Sequence, residues 1–444
     1  MAVIQTLRFD DSQFEESLER IVNRGAFAQE EVAGTVREII DSVRKRGDEA
    51  LLELTKKFDH LDLTPETLEV SDEEIEDAYK KVTDEEKESL ELAAERVYDF
   101  HEKQKTETWI STDDPDVLLG SKVTPLDRVG LYVPGGKAAY PSSVIMCAIP
   151  AQVAGVEDIV MAVPMPHGEI NPHVLVAADI CGVGRIFKMG GAQAIAAMAY
   201  GTQTVPRVDK IVGPGNIYVA VAKGQVFGQC GIDMIAGPSE ILIINDGSGN
   251  PAYLAADLLS QAEHDERASA VLVTTSAQMA KKVAGELEKQ LPQLSRAAIA
   301  GKALGSYSAI IIASDMEEAV DFSNRIAPEH LELAVDHPFE LLPHIRHAGA
   351  IFMGHYTPEA MGDYLAGPNH TLPTGGTARF HSPLSVEDYV KHSSIINISC
   401  AGLDALADDV IRLATAEGLQ AHARSVSLRR KDAHGHAHCS CKGH

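Results

Sequence analysis

Basic residues are scarce in this sequence: 39 Lys and Arg stand against 65 Asp and Glu, for a formal net charge of −26. A surface that tracks nucleic-acid phosphates needs the opposite sign, so nucleic acid is excluded as a partner. Long apolar runs are missing as well. None approaches the ~20 residues that cross a bilayer, and Met1 to Asp10 has neither the basic start nor the apolar stretch of a secretory signal. The expectation is a cytoplasmic protein with no membrane contact. Cysteine is sparse and scattered, at Cys147, Cys181, Cys230 and Cys400, with only Cys439 and Cys441 close together. That spacing rules out a disulfide framework and a four-thiolate zinc site, and predicts thiols that are reduced and mostly buried.

What is present is the composition of an ordinary globular enzyme. Hydrophobic residues make up 45 % of the 444 and charged residues 23 %, enough apolar material for a core and enough length for two to four domains at roughly 100 to 200 residues each. Up to about Asp114 the sequence reads as helices. Gln29 to Phe58 is amphipathic, and Ser71 with Glu74 makes a capping-box start for the acidic segment Asp72 to Tyr79. That run of charge reads as a solvated helix face with no assigned role.

From Arg128 onward short β-branched runs alternate with Ala-rich helical segments. The runs are Val129 to Val133, Asp158 to Val163, Arg185 to Lys188 and Lys210 to Val212, then Glu240 to Ile244, Ala270 to Thr274, Ser308 to Ala313 and Gly349 to Met353, with helices at Ala252 to His264 and Ala277 to Leu291. Strands alternating with helices at this spacing predict two α/β domains, each a parallel sheet covered on both faces. Gly362 to Pro383 reads as a long irregular loop, a type that usually carries function. Helices follow at Leu403 to Leu413 and Ala414 to about Leu428, then a polar tail from Lys431.

Several constellations could carry chemistry. Gly-rich elbows at Val133-Pro-Gly-Gly136, Met189-Gly-Gly-Ala-Gln193 and Val212-Gly-Pro-Gly-Asn216 each lead from a strand into a helix, where backbone N–H groups can meet a phosphate or carboxylate. None is a GxGxxG fingerprint. Gln261 and His264 are three apart on a helix and share a face. With Asp363 and His422 they would make a donor set suited to zinc or manganese, although spacing alone cannot join them. Ala327-Pro-Glu-His-Leu-Glu332 puts Glu329 beside His330. Neighbouring residues point to different sides, so the pair suits two separate proton transfers better than one hydrogen-bonded dyad. His434 to His444 packs four histidines and two cysteines into a short tract of the kind that binds metals opportunistically.

Read together, Val129-Gly-Leu-Tyr-Val-Pro-Gly-Gly136, Gly190-Gly-Ala-Gln-Ala-Ile195, Val208 to Asn216, Asp233-Met-Ile-Ala-Gly-Pro-Ser-Glu240, Asp257 to His264, Ala327 to Leu333 and Gly367-Pro-Asn-His-Thr-Leu-Pro-Thr374 closely resemble the histidinol dehydrogenase family, in order, from about residue 5 to 430. The resemblance implies a zinc-dependent enzyme that oxidises L-histidinol to L-histidinaldehyde and then to L-histidine with two NAD, the last step of L-histidine biosynthesis. It implies an intertwined homodimer with one zinc per subunit. The fold it implies is two incomplete Rossmann-like domains with small helical arms. Residues 1–26 would be a dimerisation arm, 27–130 with 239–384 the domain holding zinc and the catalytic residues, and 131–238 the NAD-binding domain. Residues 385–430 would form a helical arm reaching the partner's site, and 431–444 a flexible tail.

Residue by residue, the resemblance assigns zinc to Gln261, His264, Asp363 and His422. It assigns substrate to these four and to Ser239, His330, His370 and Glu417, and NAD to Tyr132, Gln193 and Asn216. Glu417 and His422 would come from across the dimer interface. Chemistry explains the two bases. His330 would take the alcohol proton as hydride leaves, and Glu329 would activate the water that must add to the aldehyde before a second hydride can go. Two other readings stay open on sequence: a relative acting on a sulfonated propanediol, for which Arg379 could supply the anion partner, and a metal-handling protein built on the His/Cys tail.

Overall fold

The computed structural model describes residues 3–24, 26–135 and 140–430. Gly136 of the first elbow and the whole His/Cys tail, with Cys439 and Cys441, lie outside the described residues. The chain forms two compact units, one of residues 1–105 and 126–389, the other of 106–125 and 390–444.

The first unit contains two all-parallel sheets. In the five-stranded sheet the spatial order is Arg185–Phe187, Asp158–Ala162, Arg128–Tyr132, Lys210–Val212, Gly231–Ile232. In chain order this is 3-2-1-4-5, the doubly wound arrangement whose reversal point opens a crevice beside the first strand. The six-stranded sheet runs Gln5–Arg8, Ala309–Ile312, Ser269–Thr274, Glu240–Asn245, His330–Ala334, Ala350–Met353. Without its first strand it repeats the same 3-2-1-4-5 order, so the two parallel sheets share one topology.

The central strands Glu240–Asn245, Ser269–Thr274 and His330–Ala334 are buried on both faces, which is why they read as largely apolar runs. Ile241 and Ile243 pack in one core layer and Leu242 and Ile244 in the layer across the sheet. Helix Pro251–Ala262 covers one face and helix Met316–Ile326 the other. Cys147, Cys181 and Cys230 are buried free thiols and Cys400 is exposed, in line with the composition.

The second unit is a three-stranded antiparallel ribbon, Trp109–Asp114, Val117–Pro125 and Val390–Ile398, followed by helices Cys400–Ala416 and Gln420–Ser427. Ser399 caps the longer helix by accepting from Gly402 N at 3.1 Å.

Four local expectations need correction. The N-terminal region is not helix throughout, since Gln5–Arg8 pairs in parallel with Ala309–Ile312 and Trp109–Asp114 is a strand. The amphipathic stretch from Gln29 is two helices, Ala26–Arg46 and Asp48–Asp59, broken at Gly47 with φ of 61°, a left-handed value that ends a helix. The segment 385–430 is not purely helical, because it opens on the nine-residue strand Val390–Ile398. The loop expected from Gly362 starts later, since Glu359–Tyr364 is a short helix that carries Asp363.

Candidate active site

Strands Glu240–Asn245 and His330–Ala334 are neighbours at the reversal point of the six-stranded sheet, and the polar cluster sits at their N-terminal starts. Open α/β sheets ordinarily bind ligands at the carboxyl ends of their strands; here the opposite edge is used. One residue's backbone organises that edge. Glu240 N–H donates to Glu329 Oε2 at 2.9 Å, and Glu240 C=O accepts from His330 Nδ1 at 3.1 Å. With its proton held on Nδ1 by that bond, the His330 ring keeps Nε2 as a free acceptor, buried and without a partner among the described residues. Glu329 Oε2 and His330 Nδ1 lie 3.7 Å apart with no hydrogen bond between them.

The surroundings are rich in buried acid. Burial raises the Glu329 carboxyl well above the ordinary range; the Glu240 N–H opposes this, the Glu240 and Asp363 charges add to it, and Arg24 lowers it. Burial likewise raises Glu359, with Asp363 and Glu329 contributing, and lifts Asp363 to about 6. Beneath them Asp257 and Glu332 share a hydrogen bond, both raised chiefly by burial. The imidazoles move the other way. Burial pushes His330 down to about 3 and His370 to about 4, with His264 adding to both shifts, so both rings are neutral at pH 7.

A pocket of carboxyls and neutral imidazoles favours a cation. His330, Glu359 and Asp363 each offer a donor atom within 4.8 Å of the others. Of the expected zinc set, Gln261 fits on its own evidence. It is fully buried in the last turn of helix Pro251–Ala262, which packs against helix Glu359–Tyr364, and neither amide atom has a hydrogen-bond partner among the described residues. An unpartnered buried amide is costly unless a ligand completes it. Asp363 Oδ1 lies 3.8 Å from His370 Nδ1, and His370 Nε2 is another buried atom without a partner. His264 follows the end of the Gln261 helix, and Ser239 directly precedes Glu240. Six of the expected residues, Glu329, His330, Gln261, His264, Asp363 and His370, therefore share one region. Glu417 and His422 belong to the second unit, both exposed in the single chain.

The expected NAD residues stand at the carboxyl edge of the five-stranded sheet. Tyr132 ends its strand and accepts from Gly191 N at 3.0 Å; Gln193 is buried in the first turn of helix Gly191–Tyr200; Asn216 caps helix Ile217–Val226, accepting from Tyr218 N at 3.0 Å. The elbow before Asn216 is tight. Gly213 has φ of 110°, and a Cβ there would meet Tyr132 O at 2.2 Å, so only glycine fits. A buried pair, Lys223 with Asp233, pins this elbow. Lys223 Nζ donates to Gly213 O at 2.9 Å and Asp233 Oδ2 accepts from Gly213 N at 2.8 Å.

Arg379 is engaged elsewhere, donating to the carbonyls of Gly376 and Arg325. Glu359 and Glu240 were not singled out from the sequence. The signal for Glu359 is its i, i+4 spacing to Asp363, hidden because Asp363 falls in the stretch from Gly362 that reads as loop.

Fold and site together define an enzyme of the doubly wound α/β class with a buried acid–imidazole centre at the starts of two neighbouring strands. The family model for histidinol dehydrogenase matches residues 22–430. A histidinol dehydrogenase of Syntrophotalea carbinolica is 64 % identical over 430 residues, 97 % of this chain and 100 % of that protein. One of Geobacter sulfurreducens is 65 % identical, covering 95 % of this chain and 98 % of its own. The crystal structure of histidinol dehydrogenase from Elizabethkingia anophelis superposes with a TM-score of 0.90 at 37 % identity, over 97 % of this chain and 98 % of that one. The chain belongs to the histidinol dehydrogenase family and is an oxidoreductase. No helix among its described residues is long and apolar enough to cross a membrane.

Proposed function

We propose that this chain oxidises L-histidinol to L-histidinaldehyde and then to L-histidine in the cytoplasm, as the last step of L-histidine biosynthesis, acting as a homodimer with zinc and NAD. Family membership supports the reaction. The observation that supports the division of labour is the Glu240 backbone, which holds Glu329 and His330 separately instead of joining them.

Gln261, His264 and Asp363 would hold zinc, with His422 and Glu417 supplied by the second copy. The ion would orient the amino alcohol through its nitrogen atoms and bring positive charge to the acid cluster. Tyr132, Gln193 and Asn216 would hold NAD, which takes up hydride. Ser239 and His370 complete the substrate contacts.

His330 acts through Nε2. Neutral and with Nδ1 tied to Glu240, it takes the alcohol proton in the first oxidation. Glu329 is raised by burial and holds its proton until positive charge enters the pocket. Once ionised, it removes a proton from the water that adds to the aldehyde carbon. His330, having released its first proton to solvent, then accepts the hydrate's proton at the same Nε2 in the second oxidation.

The rival sulfonate reading needs a cation at the site, and the guanidinium of Arg379 is already bound to backbone carbonyls. The test is NADH formation by zinc-loaded protein given L-histidinol or a sulfonated propanediol. Turnover of L-histidinol alone supports the proposal; turnover of the sulfonate alone overturns it.

A further inference from the structure

Glu240 does more than lend its backbone. Its side chain is buried and both carboxylate oxygens are used: Oε2 accepts from Arg24 Nη2 at 2.7 Å and Oε1 from Gly375 N at 3.0 Å. The Arg24 side chain is enclosed as well, 2 % exposed against 7 % for that of Glu240. Its remaining donors are spent on backbone. Nη2 also reaches Pro238 O at 2.9 Å, Nη1 reaches Ile21 O at 2.7 Å, and Nε reaches Arg267 O at 2.9 Å. One guanidinium thus ties three chain segments together: the end of helix Phe14–Val22, the approach to strand Glu240–Asn245, and the approach to strand Ser269–Thr274.

We propose that the Arg24–Glu240 ion pair is the positioning device for both bases, fixing the one residue whose backbone N–H orients Glu329 and whose C=O orients His330. This rests on the reading of those two residues as the bases. Neither Arg24 nor Glu240 touches the reacting atoms. Their effect passes through the backbone of Glu240, so a small shift of that residue, which carries the peptide groups on both sides of its Cα, moves both bases at once. Displacements of about 1 Å in such groups cost on the order of 100-fold in rate. The charges matter too. Glu240 without its cation would leave a second buried anion against Glu329, opposing the ionised form the base must reach. A guanidinium suits the place because its rigid fork reaches a carboxylate and several carbonyls together, which the single ammonium of Lys cannot do.

The test compares wild type, R24K, R24M, E240Q and the R24M/E240Q double variant with E329Q and H330N, all as zinc-loaded full-length protein. The rate of each oxidation is measured separately with L-histidinol and with L-histidinaldehyde, together with KM for NAD, zinc content and the melting curve. E240Q keeps the shape of the side chain and guards against a failure of R24M to fold. The expected result is a 10- to 100-fold fall in kcat for both oxidations in R24M and E240Q. KM for NAD and zinc content stay within about two-fold. The double variant is no slower than the slower single, because the pair acts as one unit, and R24K falls between wild type and R24M. Wild-type kcat in folded E240Q, or a loss confined to KM for NAD, overturns the proposal while leaving the two bases in place. Wild-type rates in E329Q and H330N overturn both.

Discussion

Glu329 and His330 are consecutive in the chain, yet each is hydrogen-bonded to Glu240 and not to the other, their side chains standing 3.7 Å apart. Two bases held independently can serve two proton transfers in sequence. A joined dyad would commit both to one. The arrangement also explains why the centre occupies the N-terminal edge of its sheet. The backbone N–H and C=O of Glu240, the first residue of its strand, hold the two side chains there.

Gln261 separates stability from metal affinity. With both amide atoms unpartnered in a fully buried position, Q261L removes a desolvated polar group and leaves the metal-free fold at least as stable as wild type. The same substitution removes a donor and weakens zinc binding by about 10- to 100-fold. Thermal unfolding after chelation, set against competitive zinc titration, checks both halves. A folded Q261L that binds zinc as wild type does would remove this residue from the donor set.

Lys223 and Asp233 are almost fully enclosed, with 2 % and 1 % of their side chains exposed. Breaking a buried pair leaves one charge uncompensated and costs about 3–5 kcal/mol. K223M should lose that much in urea unfolding. The protein that remains folded should show a KM for NAD raised about ten-fold with kcat retained, since it is the Gly213 elbow before Asn216 that loosens. An unchanged unfolding midpoint would contradict the clamp, and an unchanged KM would detach the elbow from NAD.

The buried Asp257 and Glu332 pair predicts an unusual pH dependence. Asp257 moves from 3.8 to about 6 and Glu332 also moves upward, whereas in the unfolded chain both release protons near pH 4. Between about pH 4 and pH 6 the folded state therefore binds more protons than the unfolded state, so this pair's contribution to stability is present at the acid end and lost as pH rises. Urea midpoints of the metal-free protein at pH 4.5 and 6.5 should show the D257N/E332Q variant gaining on wild type as pH increases. A difference between the two proteins that does not change with pH would contradict the shared proton.

The His/Cys tail lies beyond the family match, which ends at residue 430. A chain ending at Arg430 should keep full activity and its zinc-dependent turnover. A fall in activity on truncation that returns with added zinc would instead give the tail a part in metal supply.

Much of the first unit is legible in the sequence because its parallel strands are apolar on both faces, as Glu240–Asn245 and Ser269–Thr274 illustrate, and glycines mark their exits. Gln5–Arg8 is not legible. Four residues with mixed polarity give no period, and the strand exists only because Ala309–Ile312 offers an edge. Val390–Ile398 is mostly exposed and lacks the apolar run that betrays a buried strand. In the site, Gln261, His264, Asp363, Glu329 and His330 are visible as donors and bases of the right chemistry. Arg24 is not, because its role depends on a partner 216 residues away, a distance no local pattern spans.

The central claim is that His330 and Glu329 divide two oxidations between them. The most direct measurement is the count of NADH formed per L-histidinol by wild type and E329Q, with trapping of released aldehyde. Wild type should form two. E329Q should form one, releasing L-histidinaldehyde, with the second oxidation slowed at least ~100-fold, the lower range for loss of a general base. Two NADH from E329Q at the wild-type rate, or equal slowing of both steps, would contradict the account.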